Sequence, residues 1–301
     1  MGLWAVTAIL SAALVYYGAA VFAADAHTYK AGLARDRGDA EGFLRENHAA
    51  LKAYPYATRP TYWLGISYLD AGYPEDAMTA LRQYERRYPH ANRIDYELGR
   101  AQLALHHCGA SIQSYRAAVK MEPDNFQAWL GLAIAYSAIG KSELADKAAS
   151  RAVSLGSQAQ TAYYYNSAPL RTKPGLARYL VASGLLRAGF YGEAVAELRK
   201  AVEESPGSVD YLTVLGAVYL QLERTASSNQ AVSSLRNDAE KTLRSAISID
   251  DKAIDAHGYL ASVYLEDGRK SEARVELEKA ISLTSDQNRL ATFRQMLSQT
   301  E

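Results

Sequence analysis

With 301 residues, 49% of them apolar, the chain can bury a substantial core, either as one extended array or as two compact domains. Its 33 Lys and Arg balance 33 Asp and Glu with no local basic block, which excludes charge-driven binding of nucleic acid. A single cysteine, Cys108, excludes an internal disulfide.

The first predicted element is a helix in residues 3–24, LWAVTAILSAALVYYGAAVFAA, uncharged throughout. About 22 residues rising roughly 1.5 Å each can cross a bilayer. Two readings of this segment stay open. The favoured one is a retained transmembrane anchor over residues 1–24, because the basic start and short apolar core of an export signal are missing. The other is a cleaved signal peptide, which the small residues around Val21-Phe22-Ala23 would suit. Small residues recur four apart, Ala8 with Ala12 and Ala19 with Ala23, a spacing that lets a second membrane helix approach closely. Lys30, Arg35 and Arg37 follow the span, a lean towards a cytoplasmic body; an export signal would place the body in the periplasm instead.

Beyond residue 24 one pattern recurs. Thr61-x2-Leu64-Gly65-x2-Tyr68 is followed by Ala77-x3-Leu81 and Pro89, and Trp129-x2-Leu132-Ala133-x2-Tyr136 by Ala145 and Ala149. Leu212-x2-Leu215-Gly216-x2-Tyr219 and His257-x2-Leu260-Ala261-x2-Tyr264 repeat the first half, the latter continuing into Ala273-x3-Leu277. This resembles the tetratricopeptide repeat family, whose unit of about 34 residues carries W-x2-L-G-x2-Y, A-x3-F and P. The frame places repeats at 58–91, 92–125, 126–159, 175–208, 209–253 and 254–287, with a degenerate one near 25–57, within a solenoid over 25–301. The resemblance implies an all-α fold, a right-handed α-solenoid of stacked helix-turn-helix units behind one N-terminal membrane helix.

Each position of the pattern has a mechanical reason. Gly65, Ala133, Ala182, Gly216 and Ala261 let the first helix of a pair approach the second, whose own small contacts are Ala77, Ala145, Ala194, Ala239 and Ala273. Gly72, Gly140, Gly189 and Gly268 turn the chain between helices, and Pro89, Pro123 and Pro206 end the second helix. Two insertions interrupt the frame. Residues 160–174 contain Tyr163, Tyr164 and Tyr165 before Pro169 and Pro174, a candidate contact surface because tyrosine gives large area at small entropic cost. The polar run ERTASSNQAVSSLRND in the repeat at 209–253 reads as a flexible loop or a polar helix extension. Leu290, Phe293 and Leu297, at helical spacing in residues 288–299, suit a helix that caps the stack.

Catalytic and cofactor signals are weak. Residues 135–142 end in Gly-Lys-Ser, but the phosphate-loop glycine is replaced by Ala135 and no strand precedes it, so no nucleotide is expected. His106, His107 and Cys108 are adjacent, diverge on a helix and read as an interhelix turn rather than metal ligands. No cofactor is expected, and an enzyme with a site hidden in the groove is the least favoured function class.

Binding is therefore the expected function. In the family resembled, the second, fifth, ninth and twelfth positions of a repeat look inward. Here these include Arg59, Tyr62 and Ile66, then Arg93, Tyr96 and Arg100, and later Tyr179. Aromatic faces beside arginine forks suit an extended peptide or an acidic loop. The family's carboxylate clamp for chaperone tails is missing, since Tyr62 and Ile66 stand where it needs lysine and asparagine. The expectation is a membrane-anchored scaffold, assembly factor or accessory subunit that binds protein partners, with residues 3–24 in a lipid bilayer. The layout is similar to that of bacterial anchored repeat proteins, which implies an inner-membrane location; an exported soluble adaptor is the alternative.

Overall fold

The computed structural model describes residues 3–88, 94–156 and 173–300, with side chains from residue 9 onward. Among the described residues there are fifteen helices and no strand. In chain order they are α1 Leu3–Asp36, α2 Ala40–Ala53, α3 Thr58–Asp70, α4 Pro74–Arg87, α5 Ile94–Ala104, α6 Cys108–Met121, α7 Phe126–Ser137 and α8 Ser142–Gly156. There follow α9 Leu176–Arg187, α10 Tyr191–Glu204, α11 Val209–Glu223, α12 Asn229–Ile249, α13 Ile254–Glu266, α14 Lys270–Leu283 and α15 Gln287–Ser298. The chain divides into two compact units, Met1–Ala135 and Tyr136–Glu301, the division falling inside α7. Within each, helices pack on their neighbours in sequence, and α3 also meets α5 as α11 meets α13. This is the pairwise stacking of an all-α tetratricopeptide array.

The helices are set by local signals. Pro74 opens α4, Glu75 and Asp76 lie in its first turn and Arg86 and Arg87 in its last, so both ends complement the helix dipole. Asp39 Oδ1 accepts the Gly42 N–H at 2.8 Å to cap α2, and Asp286 Oδ1 accepts the Arg289 N–H at 2.9 Å to cap α15. Between α3 and α4 the chain turns at Gly72 with φ 83°, a conformation glycine adopts without strain. The equivalent turn before α6 places His106 there, with φ 59°; His107 then precedes α6 and Cys108 is buried in its first turn. His106 and His107 thus build the turn that leads Cys108 into α6, and no group of His, Cys, Asp and Glu suited to a metal occurs among the described residues.

The close approach within pairs is visible at the glycines. A Cβ on Gly65 would stand 2.5 Å from Leu81 Cδ2, and one on Gly216 2.5 Å from Leu243 Cγ. The glycines therefore seat leucine knobs of the second helix, on which Ala77 and Ala239 are also fully buried. The polar run after α11 resolves as the helical extension. Ser228 Oγ accepts the Ala231 N–H at 3.2 Å, and α12 grows to 21 residues. Arg236, on that extension, donates to Glu223 and, at 2.7 Å, to Asp267, tying α12 to the ends of α11 and α13.

The first pair has a feature of its own. α1 runs unbroken through residue 24, so the apolar stretch and the helix that packs on α2 are one element. Its second half buries Ala24, Ala31 and Ala34 with Phe43 of α2. Its first half leaves Ile9, Leu14, Val15 and Tyr16 exposed, the last at 79%. Among the described residues this is the one helix long and apolar enough to cross a membrane, a property that anchors and signal sequences share.

Candidate binding face

The expected groove residues of the first unit fall into two groups on α3 and α5. Arg59 is exposed, its guanidinium 5.6 Å from the Trp63 ring centre, and Arg35 of α1 lies 5.1 Å from the same ring. Trp63 packs edge-on against Phe43 at 5.7 Å, and Ile66 is half-buried on Ala31, Ala34 and Phe43. This side therefore offers a cationic, aromatic shelf over an apolar base.

Tyr62, Tyr96 and Arg100 gather around the buried Glu97. The Tyr62 ring lies 5.3 Å from Tyr84, and its hydroxyl donates to Glu97 Oε1 at 3.4 Å. Arg100 donates to Glu97 Oε2 at 2.8 Å and to Asp70 Oδ1 at 3.1 Å, and it stands 6.0 Å from the ring of half-buried Tyr96. Burial pushes the Glu97 carboxyl above the usual carboxylate range, against the attraction of Arg100 and the Tyr62 hydrogen bond. Burial also works against the Arg100 charge, but Glu97, Tyr96 and Asp70 hold that guanidinium firmly protonated. Arg100 is thus committed to internal carboxylates, and among the described residues of the expected set Arg59 is the exposed cation.

In the second unit Tyr179 is half-buried and stacked on Tyr211 at 5.0 Å and 26°. Its neighbour Arg178, which the sequence reading passed over, is the stronger organiser. It donates to Asp146 Oδ1 at 2.8 Å, Glu197 Oε2 at 3.1 Å and Glu204 Oε1 at 2.6 Å, joining α8, α9 and α10. Burial opposes the charge, but the hydrogen bonds to Glu204, Asp146 and Glu197 keep the guanidinium pKa above its ordinary value.

On α1, Ala12 and Ala19 are exposed and Ala23 is half-buried. Arg93, Tyr163, Tyr164, Tyr165 and the side chain of Ala8 lie outside the described residues.

A second register escaped the sequence reading. In three copies the tyrosine that closes the repeat pattern is hydrogen-bonded to a basic residue 20 positions earlier, on the preceding second helix. Arg199 Nε donates to the Tyr219 hydroxyl at 2.7 Å, and Arg244 Nε to the Tyr264 hydroxyl at 3.1 Å. His48 Nε2 pairs with the Tyr68 hydroxyl at 2.9 Å. Beside the Tyr264 clasp a cavity of about 600 Å³ opens between α12 and α14, lined by Ile247, Tyr264, Val275 and Glu276.

Models of the tetratricopeptide repeat match residues 62–105, 96–160, 179–235 and 254–287. No curated protein sequence matches the chain. Among solved structures, a tetratricopeptide repeat protein from Parabacteroides merdae is 13% identical with a TM-score of 0.46, over 92% of this chain and 98% of its own. Yeast Tom70 is 13% identical with a TM-score of 0.45, over 92% of this chain and 53% of its own. A tetratricopeptide protein of Thermus thermophilus is 19% identical with a TM-score of 0.32, over 80% of this chain and 100% of its own. With repeat models spanning more than half of its length, the chain belongs to the tetratricopeptide repeat family, whose members are generally scaffolds for protein–protein interaction.

Proposed function

We propose that the protein is a membrane-anchored scaffold, assembly factor or accessory subunit that holds protein partners of a larger membrane complex. The observation that carries this reading is α1, whose second half packs into the first unit and whose apolar first half is left uncovered by the described residues. Apolar surface of that extent is stable in lipid or against another membrane helix, and Ala12 and Ala19 give such a helix a close seat. The Arg59–Trp63–Arg35 shelf supplies the partner contact, suited to an acidic or extended peptide.

Purification of the full chain in mild detergent, with identification of co-eluting proteins and intact mass, tests the proposal. Retention of residues 1–24 together with membrane subunits is the expected result. A mature chain starting near residue 24 would instead make it an exported soluble adaptor. Arg59→Ala should reduce partner retention while moving stability by no more than about 0.5 kcal/mol, because the side chain is exposed. Serine at Tyr163, Tyr164 and Tyr165 should weaken partner binding with helicity intact; a loss above about 4 kcal/mol would mark that stretch as core.

A further inference from the structure

We propose that the edge of the first unit formed by the α2–α3 connection and the last turn of α4 lies in the headgroup layer of a bilayer, as a lipid-contacting surface. The proposal rests on the reading of α1 as a retained anchor. α1 and α2 are antiparallel, so the apolar stretch leaves the unit at the end where α2 finishes and α3 begins. There the Tyr17 and Tyr54 hydroxyls hydrogen-bond at 3.0 Å, with their rings edge-on at 5.5 Å, and Tyr56 continues the row 5.9 Å from Tyr54. Ala57 and Thr58 line one pocket with Val21, Ala24 and Asp25 of α1, so the α2–α3 connection sits at the level of residues 21–25, with the Tyr54 side chain reaching on to Tyr17.

That level fixes where the hydrocarbon can end. From Leu3 to Val21 the helix is about 28 Å long, enough for the hydrocarbon core. A hydrocarbon boundary well beyond residue 24 would carry the non-helical backbone around Pro55 into lipid, where amides without partners are strongly disfavoured. The boundary therefore falls near Val21, and the connection sits in the interfacial layer.

Its side chains suit that layer. Tyr16, Tyr17 and Tyr56 are 79%, 54% and 66% exposed, and tyrosine concentrates where an apolar ring meets headgroups. Arg87 donates to the Pro55 carbonyl at 2.9 Å and stacks over Tyr56 at 5.4 Å, which stiffens the connection and leaves further N–H donors for lipid phosphate. Tyr88 braces it from α4, its hydroxyl donating to the Tyr56 carbonyl at 3.4 Å. Exposed Lys52, Arg59, Arg86 and Arg87 outnumber Asp25 and Glu85 around this end.

The test uses the full chain with Cys108→Ala and a single new cysteine, either Tyr56→Cys at this edge or Arg37→Cys in the α1–α2 turn at the far end. Each is labelled with a polarity-sensitive fluorophore and reconstituted into phosphatidylcholine–phosphatidylglycerol vesicles containing lipids brominated near the headgroup or deep in the chain. Expected are quenching at position 56 by the shallow bromines, little by the deep ones, and none at position 37. If the protein floats with the vesicles but the position 56 label stays as aqueous as the position 37 label, the edge contact is wrong and the anchor stands. If the protein does not float with the vesicles, the anchor reading falls and takes the edge contact with it.

Discussion

The first and last helix pairs solve the same problem in different ways. A repeat that ends a stack has one apolar flank without a neighbour. At the α13–α14 pair the flank is covered by the chain: α15 lays Phe293, 7% exposed, against Ala261, Leu277 and Ala280, with Met296 and Leu297 half-buried around it. At the α1–α2 pair, α1 adds apolar surface instead of covering it, with Leu14 71% and Phe22 77% exposed. A polar-faced cap makes an end soluble, whereas an apolar extension makes that end depend on another medium. The two flanks thus separate what stabilises the fold from what locates it.

Paired substitutions can break this comparison. The largest effect is expected at the cap, where Phe293→Ala should cost about 3–5 kcal/mol in denaturant unfolding. Phe22→Ala should stay within about 0.5 kcal/mol in detergent. Comparable losses at both sites would show that the first flank is covered after all. Next in size is Gly258→Ala, whose Cβ would stand 2.7 Å from Phe293 Cε1. Overpacking there should cost about 1–3 kcal/mol, read as loss of amide-exchange protection in α13 and α15. The matched Gly18→Ala on α1 meets nothing within 4 Å. It should gain about 0.5–1 kcal/mol of local helix stability, visible as slower exchange in α1. The smallest expected change in stability is from Ala12→Leu, with unfolding of the repeats unchanged while co-purifying membrane subunits are released; retained subunits would remove Ala12 from the helix-packing role.

Much of the fold was legible because its signals are local and repeated. Leu64-Gly65-x2-Tyr68 and its later copies specify helix pairs, and the turn glycines, such as Gly72 and Gly268, do adopt positive φ. The run after α11 could not be decided, because Ser, Asn and Arg suit loops and polar helices alike. The decision comes from Arg236 reaching Asp267, 31 residues away. The binding face was legible only as a stripe of side chains. Spacing identified Arg59 and Arg100 equally, but only three-dimensional packing sets Arg100 between Asp70 and Glu97 while Arg59 stays exposed. The Arg–Tyr clasps were readable in principle, as a basic residue 20 before the repeat tyrosine. Comparing copies of a repeat position by position hides a register that joins one repeat to the next.

Those clasps bear on how the array responds to force. Apolar contact between stacked helices weakens gradually as the surfaces slide, so it yields like a viscous joint. The bonds from Arg199 to Tyr219 and from Arg244 to Tyr264 are directional and are lost beyond about 3.5 Å, so each is a latch across its seam. A load along the stack is then resisted up to a threshold at each latched seam and released in steps as the latches open, which makes the second unit a stiff link with discrete yield points rather than a soft spring.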